Sequence, residues 1–364
     1  MSLAGSEIRR AKLRFGLLTG AVALLVVLVL LLSTLSGALV GALIGALQGL
    51  RADGIVYADF ARDNIAASRL DPSVTDAIAA VPGVASAAAV GTFTTAAVID
   101  GSATDVQVFG FQPGAPGAPS GLSSGRLPEA PGEVAVDGAG QIGQTITLDP
   151  AGTELTVVGL LRGAQFNALP TLYANLETYD EAAAATNPGL PFVPVNAVAF
   201  DVADGADAAT VAQAVTSTVP GVRGYTLDDA VALIPGIESI TQSFGILVGL
   251  TFVIGIVVIG FFFLILTVQK LKPFTLLRAI GTSTGRLAAT VAIQITIVVL
   301  LASVIALALT LLAVQGLNTG IPVILDPGLI GGTILAVWIF SLLAGLLSIR
   351  RIARIDPASA VGAR

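Results

Sequence analysis

Residues 15–50 read FGLLTGAVALLVVLVLLLSTLSGALVGALIGALQGL and contain no charged side chain. About 20 apolar residues in a helix are enough to cross the hydrocarbon core of a bilayer. At about 1.5 Å of rise per residue, this run crosses a membrane and extends roughly 20 Å beyond it. A cleaved signal peptide is the alternative, because basic residues lie at positions 9–14, but its apolar core is only about 7–15 residues long. The pattern therefore predicts a transmembrane helix with a projecting stalk.

Composition extends the membrane assignment to the rest of the chain. The 364 residues are 54% hydrophobic and 12% charged, whereas soluble domains carry about 25% charged residues. Three further apolar spans are predicted at 244–268, 287–314 and 328–347. None of the four spans contains Asp, Glu, Lys or Arg. Ion-coupled transporters keep ionisable groups inside the membrane, so the energy for any transport is expected to come from another polypeptide.

Basic residues predict the orientation. Lys and Arg cluster in 1–14, in 269–286 and in 348–364, and such clusters mark cytoplasmic segments. We therefore expect a multi-pass protein of the cell membrane, in contact with lipid, with both termini in the cytoplasm. A short outer loop is expected at 315–327. The segment 51–240 carries six arginines against 21 acidic residues, which agrees with an outside location.

The outside segment 51–243 has the pattern of an α+β domain. Alternating or β-branched runs predict strands at 90–99, 104–111, 144–148 and 154–161, the last two forming a pair. Predicted helices over 73–80 and 207–219 are each followed by Pro-Gly and a strand, which is a weak internal repeat. The Pro- and Gly-rich stretch 112–195 between them predicts an inserted β-rich subdomain. The fold class is thus four transmembrane helices, one and then three, with a large extracytoplasmic α+β domain after the first.

Several chemistries are excluded by the residue inventory. The chain contains no Cys and no His, so neither a thiolate metal site nor a Ser-His-Asp or Cys-His catalytic set can form. The three lysines, Lys12, Lys270 and Lys272, are not followed by Ser or Thr, so no phosphate-binding Gly-Lys-Ser/Thr loop exists. We expect no catalytic, metal or cofactor-binding residue in this chain, and no nucleic-acid partner.

Four glycines at helical spacing mark the outer half of the first span. Gly37, Gly41, Gly45 and Gly49 share one helix face and would allow another helix to approach closely. This face predicts a helix–helix interface. The partner is either a second protomer or the second span of the same chain, and both can apply.

A group of acidic and aromatic residues follows the first span. Asp53 and Asp59 could bind a cation or a cationic substrate together with Asp63, and Tyr57 and Phe60 could line a substrate entrance. An acidic run is more often a solvated surface, and aromatic residues more often pack in a core. The group is therefore a candidate substrate entrance with a plain structural alternative.

Two cytoplasmic stretches resemble the MacB/FtsX-type ABC transporter permeases. Leu-Arg-Ala-Ile-Gly at 277–281 is similar to the end of the coupling helix between the second and third spans of that family. Ile-Asp-Pro-Ala at 355–358 is similar to its C-terminal motif, and the stretches 125–134 and 155–160 look like pieces of its outside domain. The order of one span, an outside domain and three spans is also that of the family.

The resemblance implies a separate ABC ATPase that binds ATP and Mg²⁺, and a homodimer of this chain. It places contact with the ATPase on the connector 269–286, at Phe274, Leu277, Arg278, Ala279, Ile280 and Gly281. Pro273 stands where many relatives have Glu, and proline suits the first turn of a helix, so the connector helix is expected to begin there. The alternative is a helix that lies on the membrane surface with its apolar side in lipid.

Three functions follow from these patterns. The first is the permease of an exporter, in which ATP-driven motion extrudes a lipophilic or amphipathic substrate; haem is one possible substrate because some relatives export it. The second is an FtsX-like module that controls a cell-wall enzyme without transport. The third is a membrane-anchored binding domain, for which four spans are more than needed. An apolar bundle without charges suits a lipophilic or amphipathic substrate better than an ion.

Overall fold

The computed structural model describes residues 12–189, 192–269, 284–316 and 327–353. The chain divides into two compact units. The helical unit contains the described residues up to Ser36 and from Gln242 onward, and the α+β unit contains Gly37–Thr241.

The described residues form these helices: α1 (Lys12–Gln48), α2 (Val74–Ala79), α3 (Leu176–Thr186), α4 (Ala208–Thr218), α5 (Leu227–Ala232), α6 (Ile237–Gln269), α7 (Thr284–Gly316) and α8 (Pro327–Ala353). They form these strands: β1 (Leu50–Arg51), β2 (Gly54–Ala58), β3 (Val84–Ile99), β4 (Ser102–Phe111), β5 (Ala118–Pro119), β6 (Leu122–Gly125), β7 (Glu133–Asp137), β8 (Thr145–Asp149), β9 (Thr153–Leu161), β10 (Thr171–Asn175), β11 (Ala197–Val202) and β12 (Val222–Thr226).

Four helices, α1, α6, α7 and α8, are long and apolar enough to cross a membrane. They occur in the predicted order of one before the α+β domain and three after it. Within the helical unit they share a hydrophobic cluster formed by Phe15, Leu18, Val22, Ala23, Val26, Leu30, Ile259, Val291, Ile295, Val298, Val299, Ala302, Ala306 and Val337. Uncharged polar side chains such as Gln294, Ser303 and Thr310 are also buried in this unit. Many other Leu, Ile and Val side chains point outward from α6 and α7, as expected of helices whose surroundings are lipid.

The first half of the α+β unit is an antiparallel sheet in the order β12-β2-β11-β3. Helices α2 and α4 are each followed by Pro-Gly and by a strand, β3 and β12 respectively, as the internal repeat predicted. Gly83 and Gly221 adopt positive φ values of 94° and 77°, which glycine tolerates and which turn the chain from helix into strand.

The second half is a closed ring of six strands. The order is β3, β4, β10, β7, β9 and β8, and β8 pairs back onto β3. The interior is filled by aliphatic side chains that alternate along these strands, such as Val106 and Val108 on β4. Strands β8 and β9 form the antiparallel pair that the sequence predicted.

The predicted inserted β-rich subdomain at 112–195 contains strands β5 to β10, but it is not complete by itself. Two of the six strands of the ring, β3 and β4, precede residue 112. The 16-residue strand β3 pairs with β11 through its first half and with β4 and β8 through its second half. One strand therefore joins the two halves, and the stretch 112–195 cannot form the ring alone.

Candidate functional site

The last turns of α1 lie in the core of the α+β unit. Ala46 and Leu47 are buried, and so is Leu50 directly after the helix. They share a hydrophobic cluster with aromatic side chains from three strands and a loop, namely Tyr57, Phe109, Phe111, Phe166 and Tyr173. Helix α1 is unbroken from Lys12 to Gln48, so the same helix also supplies Phe15, Leu18 and Val22 to the core of the helical unit.

The four glycines of the predicted interface have different surroundings. Gly37, Gly41 and Gly45 lie in α1, and Gly49 directly follows its last residue. A Cβ atom at Gly45 would lie 2.5 Å from the carbonyl oxygen of Gly163, which is a backbone contact. A Cβ at Gly49 would lie 3.3 Å from the hydroxyl of Ser120. Gly37 and Gly41 have no described atom within 4 Å of a Cβ position. The close approach at Gly45 is thus to a loop of the α+β unit, and a helix–helix interface at the four glycines stays a prediction.

Residues 162–169, which we call the clamp loop, bind the end of α1 through backbone groups. The N–H of Ala46 donates to the carbonyl of Gln165 at 2.8 Å. In the opposite direction, the N–H groups of Asn167 and Ala168 donate to the carbonyls of Leu43 and Ala42 at 3.0 and 2.8 Å. The helix is therefore joined to the loop by three hydrogen bonds that do not depend on side chains.

Asp137 holds the clamp loop from the side of the domain. Its side chain is only 4% exposed at the end of β7, and its carboxylate accepts the N–H of Ala164 at 2.5 Å. Burial raises the pKa of Asp137, and the N–H groups of Ala164, Gly163 and Gly138 oppose that rise. The hydroxyl of Tyr173 donates to the carbonyl of Ala164 at 2.7 Å, so the same residue is held on both of its backbone groups.

Asp137 and the clamp loop were not singled out in the sequence. The available signal was an aspartate-glycine pair directly after the apolar run at 134–136, a pattern that also occurs in ordinary turns. Because the partners of Asp137 lie about 27 residues further along the chain, no local pattern identifies them.

The structure brings part of the candidate substrate entrance together. The carboxylate of Asp53 accepts the N–H of Val202 at 2.9 Å, and Asp59 forms an ion pair with Arg223 at 2.5 Å. Tyr57 is fully buried, which raises the pKa of its hydroxyl. Phe60 is 68% exposed. Arg223, the partner of Asp59, also interacts with Tyr225, whose ring centroid lies 6.1 Å from that of Tyr57. A role at an entrance stays a prediction.

The remaining acid of that group is also engaged. The hydroxyl of Tyr225 donates a short hydrogen bond to the carboxylate of Asp63. Among the described residues, no group of three or more acidic side chains is arranged to hold a metal ion.

The loop before β7 is organised by one carboxylate. Both terminal nitrogens of Arg126 donate to the carboxylate of Glu133, one of them at 2.7 Å. The N–H groups of Glu129 and Ala130 donate to the same carboxylate, each at 3.1 Å. Arg126 and these amides lower the pKa of Glu133 to about 2. The segment between β6 and β7 is therefore a loop closed by an ion pair.

The helical unit has an apolar groove of about 240 Å³ between α1 and α6. It is lined by Ala21, Leu24, Leu25, Leu28, Thr251, Ile254, Gly255 and Val258. The hydroxyl of Thr251 donates to the carbonyl of Leu247 in its own helix, at 2.8 Å, so the groove presents an almost wholly apolar surface. Such a surface fits acyl chains or other apolar groups.

The predicted ATPase contacts lie outside the described residues. This applies to Phe274, Leu277, Arg278, Ala279, Ile280 and Gly281, and also to the C-terminal motif at 355–358. Their role stays a prediction.

Two family models match the chain. The model of the MacB-like periplasmic core domain matches residues 15–218, and that of the FtsX-like permease C-terminal domain matches residues 245–357. The first covers more than half of the chain, and the two together confirm the resemblance found in the sequence.

Individual relatives agree with these matches. An uncharacterized ABC transporter permease of Mycobacterium tuberculosis (strain H37Rv) is 26% identical over 288 residues, which is 78% of this chain and 77% of the relative. A Staphylococcus epidermidis protein named as the hemin transport system permease HrtB is 26% identical over 144 residues, 40% of this chain and 41% of its own.

Among solved structures, the periplasmic region of MacB from Actinobacillus actinomycetemcomitans aligns with a TM-score of 0.39 and 12% identity. It covers 52% of this chain and 96% of that one. On the two family models and the order of its helices and α+β domain, the chain belongs to the MacB- and FtsX-type ABC transporter permeases, which are multi-pass membrane proteins.

Proposed function

We propose that this chain is the permease subunit of an ABC exporter that extrudes a lipophilic or amphipathic substrate. A separate cytoplasmic ATPase supplies the energy, and the connector 269–286 receives it. In this arrangement both termini and the connector face the cytoplasm, the α+β domain lies outside, and two copies pair through the face that carries Gly37 and Gly41.

The observation that carries the proposal is the continuity of α1. A single helix of 37 residues contributes to the core of the helical unit at Phe15 and Leu18, and to the core of the α+β unit at Ala46 and Leu47. Packed helices resist bending, because each residue that leaves the helical conformation breaks a backbone hydrogen bond. A displacement at the inner end of α1 is therefore expected to move the outside domain.

The substrate class follows from the apolar character of the helical unit. The groove beside Leu24 and Val258 offers no charge to an ion, and the spans contain no ionisable residue for a proton relay. Energy supplied by a separate ATPase, together with an apolar surface in the helical unit, favours a substrate that partitions into the membrane.

Haem is a useful probe, although this chain offers few side chains that could coordinate its iron. The chain has no His, and its one Met is Met1. Its four tyrosines are engaged in the α+β unit: Tyr57 is buried, and Tyr173, Tyr179 and Tyr225 donate their hydroxyls to Ala164, Asn196 and Asp63. Haem would therefore be held by carboxylates or by apolar contact alone.

The test is reconstitution of the full chain with its co-purified ATPase in vesicles of phosphatidylethanolamine and phosphatidylglycerol. ATP hydrolysis is measured with haemin and, separately, with an apolar fluorescent cation, and efflux of each probe is followed. Stimulated hydrolysis with efflux supports export. A matched complex whose ATPase lacks its phosphate-binding lysine should show neither.

The contrary result is equally specific. If hydrolysis is unaffected by apolar probes, no probe leaves the vesicles, and the complex retains a cell-wall hydrolase in a pull-down, then the chain is a signalling module and the export proposal is wrong.

A further inference from the structure

The joint between α1 and the clamp loop is a backbone-to-backbone attachment. Three hydrogen bonds of 2.8 to 3.0 Å connect Ala42, Leu43 and Ala46 of the helix to the loop. Since the helix both donates and accepts, movement of α1 along its axis in either direction would strain at least one of these bonds. Side-chain packing alone permits more sliding than such a set of directional bonds does.

Two features let the backbones come so close. Gly45 has no side chain, and any Cβ there would lie 2.5 Å from the carbonyl oxygen of Gly163, which is closer than a Cβ atom approaches an oxygen in folded proteins. Asn167 and Ala168, whose N–H groups reach the helix, have left-handed φ values of 53° and 57°. Left-handed residues other than glycine are costly and persist only where surrounding contacts hold them.

The contacts that hold the loop centre on Asp137 and its neighbours. The carboxylate of Asp137 takes the N–H of Ala164, the hydroxyl of Tyr173 binds the carbonyl of the same residue, and the hydroxyl of Thr171 accepts the N–H of Phe166 at 3.0 Å. A buried N–H without an acceptor is costly, so loss of the carboxylate would release the loop.

The helix that follows the α+β domain in sequence, α6, is attached to it differently. Helix α6 begins at Ile237, after Pro235 and Gly236, and Gly236 has a positive φ of 90°. The short helix α5 ends at Ala232, so a non-helical turn separates it from α6. A turn at proline and glycine transmits displacement less faithfully than a continuous helix does.

We propose that movement of α1 reaches the extracytoplasmic domain through the joint of α1 with the clamp loop. Asp137 is the positioning residue of the loop, and Gly45 is the position at which the helix backbone lies against it. This inference rests on the proposed function, because it assigns the point of mechanical transfer within it. Substrate chemistry does not enter it, so it can be tested with nucleotide alone.

The experiment compares the full chain, in complex with its ATPase, without nucleotide and after trapping with ATP and vanadate. Hydrogen exchange is followed by mass spectrometry over the clamp loop and over the strands of the domain. The variants are Asp137→Asn and Gly45→Ala. Their matched controls are Asp105→Asn, an exposed aspartate on β4, and Gly20→Ala, a glycine of α1 with open space around its Cβ position.

In the unmodified chain, trapping with vanadate is expected to change exchange in the strands of the domain. In Asp137→Asn and Gly45→Ala, the clamp loop is expected to exchange at least about tenfold faster. The asparagine has one acceptor oxygen in place of two and turns an NH₂ donor toward backbone N–H groups, whereas the alanine forces the two backbones apart. The response of the strands to nucleotide should be lost in both variants and kept in both controls.

A chemical crosslink tests whether attachment, rather than general stability, is what the variants lose. The chain contains no cysteine, so Leu43→Cys with Asn167→Cys introduces the only thiols. These two residues share a backbone hydrogen bond of 3.0 Å, within reach of a short bifunctional thiol reagent. Crosslinking should restore the nucleotide response in Asp137→Asn, which a merely unstable domain would not show.

Three results overturn the inference. The first is that hydrogen exchange in the domain of the unmodified chain does not change with nucleotide. The second is a clamp loop that is no looser in either variant, and the third is a looser loop with an unchanged response. A complex that responds to nucleotide through the joint but exports no probe contradicts only the proposed function.

Discussion

Gly91 on β3 and Gly110 on β4 are direct partners in the sheet, and the ring of Tyr179 from α3 lies against both. A Cβ atom at either glycine would come within 2.3 Å of that ring. The two glycines therefore leave a surface without side chains, against which the buried ring of Tyr179 packs.

Substitution Gly110→Ala is expected to lower the free energy of unfolding by about 1–3 kcal/mol, because a methyl group must displace the ring of Tyr179 or the strand beneath it. The matched control is Gly189→Ala, at an exposed glycine with open space, which should change stability by less than about 0.5 kcal/mol. Thermal unfolding of the full chain in detergent measures both. Equal stability of the two variants would contradict close packing of Tyr179 against Gly110.

Glu133 makes the stability of its loop depend on pH. Its pKa is about 2 in the folded chain against an ordinary value of 4.5, so its stabilising contribution is complete above pH 4.5 and is lost as the pH falls toward 2. Glu133→Gln should therefore unfold more easily than the unmodified chain above pH 4.5, by a small margin because solvent screens this exposed ion pair, and the difference should disappear toward pH 2. Unfolding curves across this range provide the check. A difference that stays constant with pH would mean that the ion pair is not its source.

The indole of Trp338 on α8 donates to the hydroxyl of Thr296 on α7 at 3.0 Å, and that hydroxyl donates to the carbonyl of Ala292 at 3.0 Å. Hydrogen bonds between helices in a membrane contribute about 0.5–2 kcal/mol. Trp338→Phe and Thr296→Val should each destabilise the helical unit, and the double variant should lose less than the sum of the two, because both changes remove the same bond. A double-mutant cycle on unfolding in detergent gives this coupling. Full additivity would rule out the pairing.

Orientation can be determined with single thiols, because the chain has no native cysteine. Lys272→Cys should react with a membrane-impermeant maleimide only after the cells are opened, and Asp105→Cys, an exposed position on β4, should react in intact cells. The two variants serve as controls for each other. The reverse pattern would place the connector outside and would remove the basis for an ATPase contact there.

Local patterns were enough to predict the membrane spans and several elements of the outside domain. Hydropathy is a sum over neighbouring residues, so runs such as 15–50 and 287–314 can be recognised as membrane spans without reference to the rest of the chain. The same holds for the hairpin of β8 and β9 and for the two helices that end in Pro-Gly, whose periodicity and turn residues are adjacent in sequence.

What depends on distant contacts was visible only in the structure. The spacing of Gly45 predicts a helix–helix face, whereas the structure places the carbonyl of Gly163, in a loop of the α+β unit, closest to it. Asp53 and Asp59 looked like a cluster, yet each has its own partner, Val202 and Arg223, far along the chain.

The sequence by itself determined which segments are apolar enough to cross a membrane, in what order they occur, and that no catalytic histidine or thiol is present. The tertiary structure decided that six strands close into a ring, that Asp137 is buried beneath the clamp loop, and that this loop binds α1. The reason is physical: burial in lipid depends on composition over one helix length, whereas backbone contact between two segments depends on how the whole sheet is paired and closed.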